Sequence, residues 1–272
     1  MRSELDFFRA YVVSNPIAHS LWRCFECARF AREKLASPVL DVGCGDGFFT
    51  RTVFRRRLDW GVDPNDREVH RARRGGNYKR VLRAGVAALP LEDASVRTVI
   101  SNCVLEHVPE LDRGLSEIAR VLKPGGRLLL TVPSEYYNRD SFYQRLFQGL
   151  GFNQAAQWYN RSLNRVFKHY HVHGWRAWER KLHAKGLVLE KAEYIMPRKA
   201  FRLYDQLLML AVPGKILRAL TGRWVLWPRP WLPGILAPLV RGFLTEQDDK
   251  GIVYFIVARK MAKKRGGRTP SA

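Results

Sequence analysis

The stretch Pro38-Val39-Leu40-Asp41-Val42-Gly43-Cys44-Gly45-Asp46-Gly47 decides the fold. Its first half is a short apolar run opened by proline and closed by glycine, the pattern of a buried parallel strand. Glycines at 43, 45 and 47 then let the backbone turn sharply and let a ligand lie against the main chain, with the amides of the following helix at one end of the cleft. G-x-G-x-G is not the G-x-G-x-x-G of dinucleotide enzymes, and no Lys-Ser/Thr follows as a phosphate loop requires. Asp63 ends the next strand pattern twenty residues after Gly43, where an acidic group accepts hydrogen bonds from ribose hydroxyls. A nucleoside-bearing cofactor without a pyrophosphate fits best.

Outward from this stretch, strands alternate with helices. Apolar runs at 58–62, 80–83, 96–101 and 127–132 read as strands, and 48–56, 66–74 and 111–122 as helices, the last with Leu111, Leu115, Ile118, Ala119 and Leu122 at helical spacing. Lys123-Pro124-Gly125-Gly126 reads as a helix stop and a turn. Residues 136–173 show weak periodicity, 175–185 a helix, and 187–195 and 251–258 two more strands. The fold class is therefore α/β: a Rossmann-like doubly wound sheet of seven strands with an antiparallel last strand, plus a helical, aromatic-rich insertion. The domains are expected as an N-terminal helical cap (1–36), the sheet domain (37–197 and 249–260), an inserted apolar and basic subdomain (198–248), which is too long for a hairpin turn, and a basic disordered tail (261–272).

Four blocks carry a resemblance. Residues Val39 to Gly47 resemble motif I of the class I S-adenosylmethionine-dependent methyltransferases. Leu89-Pro90-Leu91, Ser101-Asn102-Cys103-Val104-Leu105-Glu106-His107-Val108, and Glu117 to Gly126 resemble the later blocks of their type 11 small-molecule branch. The resemblance covers about residues 37–133 and implies S-adenosylmethionine as cofactor. It implies that Asp41, Gly43 and Gly45 line the methionine part, Asp63 holds the ribose, Val86 and Ala87 border the adenine, and Asn102 contributes backbone near the amino-acid end. Gly85 and Arg97 depart from the family, each standing where an aspartate is common, so the adenine amino group lacks its usual side-chain acceptor.

Acid–base help at the acceptor would come from His107, Tyr136 or His171, with Tyr137 as a further candidate, since all lie downstream of strand ends that face the cleft. His107 equally suits local packing at a helix start. Cys24-Phe25-Glu26-Cys27 has metal-like spacing without a second pair and reads as a helical face. His169, His171 and His173 suit substrate contact or plain surface; with no carboxylate or cysteine nearby in sequence, no metal site is expected.

The 272-residue chain carries 47 Lys plus Arg against 25 Asp plus Glu, a net +22 that favours a polyanion or an anionic membrane. The excess is uneven: +2 over 1–36, +3 over 37–135 and +17 over 136–272. Four cysteines exclude a disulfide scaffold and suit a reducing cytoplasm. Glu4 and Asp6 argue against a signal peptide. The longest uncharged run, 146–160, contains five Asn or Gln, so no membrane span is expected. Between Arg198 and Arg241, tryptophans 224, 227 and 231 and many leucines interleave with Lys215, Arg218, Arg223 and Arg229. This mixture suits an element lying at an anionic membrane face, and hence a small-molecule acceptor of lipid or lipid-linked type. A cap that only covers a pocket is the competing reading. A nucleic-acid methyltransferase is disfavoured because Ser101-Asn102-Cys103-Val104 lacks the Asn/Asp-Pro-Pro-aromatic signature of base-amine methylation; a non-catalytic cofactor-binding protein is disfavoured by the intact glycine loop and Asp63.

Overall fold

A computed structural model describes residues 2–246 and 248–262. The basic run beginning at Lys263, and with it most of the expected tail, lies outside the described residues. One seven-stranded sheet organises the chain: β1 (Val39–Val42), β2 (Leu58–Asp63), β3 (Tyr78–Arg83), β4 (Val96–Asn102), β5 (Leu122–Pro133), β6 (Leu187–Tyr194) and β7 (Val253–Lys260), in the order β3-β2-β1-β4-β5-β7-β6. The first five strands run parallel, and β7 is antiparallel to both β5 and β6. This is the doubly wound fold expected from the sequence.

Alternation along the strands sends side chains to two apolar layers. Leu40, Val42, Leu128, Leu130, Tyr254 and Ile256 meet α5 (Leu111–Val121) and α8 (Trp175–His183), whose Leu115, Ile118, Trp178 and Leu182 are fully buried. On the opposite face Val39, Ile100, Leu129, Phe255 and Val257 meet α1 (Glu4–Val12) and α2 (Ile17–Phe30). Local signals set the helix ends. A capping box between Ser3 and Asp6 starts α1, and Asn65 caps α4 (Asp66–Gly75), which ends in left-handed Gly76. Gly47, at φ +75°, starts α3 (Phe48–Val53).

Two stretches differ from the sequence expectation. Strand β5 begins at Leu122, because the register slips between Val96 and Thr98 and Lys123 to Gly126 are carried as an irregular segment of the strand, not as a free turn. Residues 136–173 hold two helices, α6 (Phe142–Gly149), capped by Ser141, and α7 (Asn153–Phe167). Between β6 and β7 the chain forms α9 (Arg198–Leu208), α10 (Val212–Thr221) and α11 (Leu232–Leu244), with a short 3-10 turn at Met209–Ala211. Helix α9 packs on α2 and α11 on α1, so Phe201, Tyr204, Val240 and Leu244 share the apolar layer of the N-terminal helices. No helix among the described residues is long and apolar enough to cross a membrane.

Candidate functional site

Strands β1 and β4 lie side by side where the strand order reverses, and a crevice opens beyond their carboxyl ends. Gly43 and Gly45 adopt φ of +70° and +53°, a region strained for residues with a side chain. At Gly43 a Cβ would fall 2.4 Å from Val104, so the loop must be bare to pack on the turn after β4. At Gly45 a Cβ would meet nothing within 4 Å, because the cavity opens there. Asp41 is buried at 3% exposure, and the hydroxyls of Thr50 and Tyr78 both donate to its Oδ2 at 2.7 Å. Burial pushes its carboxyl up to about 6 against the lowering effect of the two hydroxyls. Asp63 accepts from the amides of Gly45 (3.0 Å) and Asn65 (2.8 Å), bracing the loop from the end of β2.

The cavity above the loop measures about 560 Å³. Tyr11, His19 and Arg23 of the N-terminal helices, with Asn15 of the turn between them, form one wall, and Arg218 and Trp224 of the insertion form another. Arg218 reaches across the crevice to Glu68 on α4 (3.0 Å) and to Asp46 in the glycine loop (3.5 Å). Its guanidinium lies 4.8 Å from the ring centre of Trp224, which in turn stacks on His19 at 5.1 Å. Burial, with Arg23 and Arg218 nearby, holds His19 well below the usual imidazole range, so it is neutral at pH 7. Beneath the cavity, Arg23 pairs with fully buried Glu26 at 2.8 Å, and Glu26 also accepts from Trp22 (2.9 Å) and from the Cys103 thiol (2.7 Å). Asn102, with its amide oriented as its neighbours demand, accepts from Arg23 and donates to Thr131 and Glu26.

Residues 40–130 match the family model of the methyltransferase domain. A probable S-adenosylmethionine-dependent methyltransferase of Mycolicibacterium smegmatis is 38% identical over 111 residues, covering 39% of this chain and 42% of that protein. Over residues 40–130 the chain is thus similar to the methyltransferase domain of S-adenosylmethionine-dependent enzymes. An uncharacterized methyltransferase of Mycobacterium sp. (strain JLS) is 43% identical over 97 residues, covering 34% of this chain and 37% of that protein. The chain thus spans well under two thirds of the length of these relatives. Among solved structures, a possible histamine N-methyltransferase of Thermotoga maritima shares the fold with a TM-score of 0.56 at 18% identity, over 90% of this chain and 91% of that one.

The glycine loop fits the demands of an S-adenosylmethionine cofactor: the space over Gly45 is where a ligand can touch bare backbone, and Asp41 and Asn102 border it. Asp41, Gly43, Gly45 and Asn102 are brought together in one cavity. Asp63 stands behind the loop, not among the lining residues, with each carboxylate oxygen already accepting one amide. Val86 is buried against Gly114, and Ala87 is half-buried beside it; neither lines the cavity. The expected acid–base residues also stand apart from it. His107 stacks on His169 at 5.1 Å, Tyr136 packs on Tyr194, Tyr137 is buried against Phe201, and His171 Nε2 lies 2.9 Å from the Val108 carbonyl. His19, Arg23, Arg218 and Trp224 were invisible to motif reading, since they come from segments outside the four blocks. Only the mixed aromatic and basic composition of 198–241 pointed toward the last two. Cys24 and Cys27 are both fully buried on α2, as a helical face requires.

Proposed function

We propose that this methyltransferase moves the methyl group of S-adenosylmethionine to an acceptor with a bulky apolar body and an anionic end, taken up at an anionic membrane surface. The observation that carries this reading is a second chamber of about 290 Å³ that shares two lining residues, His19 and Trp224, with the first cavity. Trp158, Leu163, Val166, Phe167 and Leu208 make it apolar, and Lys215 is its one formally charged lining residue among the described ones. An acceptor seated there would bury its apolar part, set its anionic end against Lys215, and face the cofactor across the His19–Trp224 pair. Asp41 and Asn102 would hold the amino-acid part of the cofactor, and Gly43 and Gly45 would let it lie on the backbone. Displacement at the methyl is in line, so positioning is the main task of the protein. His19, neutral and bordering both chambers, would accept a hydrogen bond from a hydroxyl acceptor and orient it toward the methyl group.

Surface chemistry supports the membrane part. Leu210, Leu220, Trp227 and Trp231 are between 62% and 80% exposed, beside Lys215 and Arg223 in the same inserted segment. The test is transfer of labelled methyl from S-adenosylmethionine in the presence of total lipid, RNA or a water-soluble metabolite extract. Label entering the organic phase, and falling when Leu208→Trp fills the chamber while cofactor affinity stays constant, is the expected result. Label found only in RNA or only in water-soluble product would refute the acceptor class.

A further inference from the structure

Histidines 169, 171 and 173 have no carboxylate near them in the chain. The fold supplies one. The turn after β4, Leu105–His107, lies against the segment that leaves α7, and the amides of Tyr170 (2.8 Å) and His171 (3.3 Å) both donate to the carbonyl of Glu106. This docking brings one donor atom from each of Glu106, His107 and His169 within 4.8 Å of one another. Two polar atoms of these side chains are unsatisfied: Glu106 Oε2 and His169 Nδ1 are buried with no hydrogen-bond partner, and Glu106 as a whole is only 1% exposed. A buried carboxylate oxygen and a buried imidazole nitrogen left unpaired are each costly, so their convergence calls for a bridging group.

We propose that Glu106, His107 and His169 form a binding site for a divalent first-row transition-metal ion, with zinc the best-matched occupant. Two imidazoles and one carboxylate are the donor set of three-ligand zinc sites, which leave a fourth position for water or substrate. The geometry around the donors is that of ligands already oriented. His107 Nδ1 lies 3.3 Å from the Lys168 carbonyl, the second-sphere contact that fixes the tautomer and leaves Nε2 free to ligate. That Nε2 is 3.7 Å from Glu106 Oε1, within a few tenths of an ångström of the ~3.4 Å that a tetrahedral ion imposes between neighbouring ligands. His169 is clamped between the rings of Phe167 (5.7 Å) and Tyr137 (5.0 Å), and it is delivered by Lys168, which adopts φ +54° where a side chain is strained. The site sits beside Cys103 and Glu26, across that buried network from the glycine-loop cavity, and is distinct from it.

The test uses the full chain, freed of metal with a chelator and titrated with Co2+ and then Zn2+. One equivalent of Co2+ should give the visible absorption of a four-coordinate site, displaced by Zn2+. His169→Ala and Glu106→Gln should each weaken binding beyond the ~100-fold that second-sphere changes cost, whereas His171→Ala and His173→Ala should bind as the parent does. His169→Gln provides a second variant should the alanine change perturb folding, and the melting temperature of the parent, not of this variant, should rise with added Zn2+. No stoichiometric binding to the parent, or equal binding by a folded His169 variant, overturns the proposal. The readout is independent of methyl transfer.

Discussion

At the scale of single residues, the site is governed by where charge is buried and where a side chain has no room. Asp41 holds its proton to about pH 6 in the folded protein, whereas in the unfolded chain it releases it near 3.8. Between these values the native state binds more protons, so its contribution to stability falls as pH rises from about 4 to 6, by about 3 kcal/mol in all. Urea midpoints measured across that range should decline in the parent and lose this component in Asp41→Asn. Affinity for the cationic cofactor should rise through the same window as the carboxylate forms; calorimetry at pH 5 and pH 7 checks it. Gly43→Ala meets both a left-handed backbone and Val104 at 2.4 Å, and should cost about 2 kcal/mol or more. Adding Val104→Ala should recover only the steric part. These residues were legible because a positive φ beside a strand end selects glycine within a short motif. His19 and the Glu106–His169 pairing were not, since each depends on a contact between segments far apart in the chain.

Among secondary-structure elements, α10 has the most consequence for the site. Its Arg218 joins the insertion to α4 through Glu68 and to the glycine loop through Asp46, and both partners come from the sheet domain. Arg218→Ala should release the cofactor several-fold faster in stopped-flow displacement. A double-mutant cycle with Glu68→Ala should give a coupling of about 1 kcal/mol, near the upper end for a partly exposed pair. A coupling of zero would mean that the contact does not hold the roof in place. The sheet strands were readable from their short apolar runs and α5 from the helical spacing of its leucines. Helices α6 and α7 were not, because α7 buries only Ala156, Tyr159 and Leu163 and surrounds them with amides, which dilutes the 3.6-residue pattern. The irregular start of β5 was hidden for the opposite reason: Pro124 and two glycines are strong turn formers, and tertiary pairing with β4 overrode them.

For the whole molecule, charge and exposed apolar surface act together. Cosedimentation with vesicles containing anionic lipid should fall as salt rises, because the attraction of basic residues is screened. Trp227→Ala with Trp231→Ala should weaken it at every salt concentration, because these rings stand 74% and 62% exposed. Binding that is unchanged in the double variant would remove the tryptophans from the interface. The concentration of charge in 136–272 was legible from the sequence, but not that the insertion packs onto helices at the other end of the chain. That packing bears on the order in which the protein is assembled. Arg229 donates from its backbone to the carbonyl of Val13 (2.8 Å) and from its guanidinium to those of Val12 (3.2 Å) and Asn15 (2.7 Å), closing the end of α1. During synthesis α1 emerges more than two hundred residues before the arginine that closes its end. Strands β1 to β4 have all their partners once β5 is made, so a chain synthesised that far carries five parallel strands while the edge of β5 still waits for β7 and the apolar face of α1 and α2 still waits for α9 and α11.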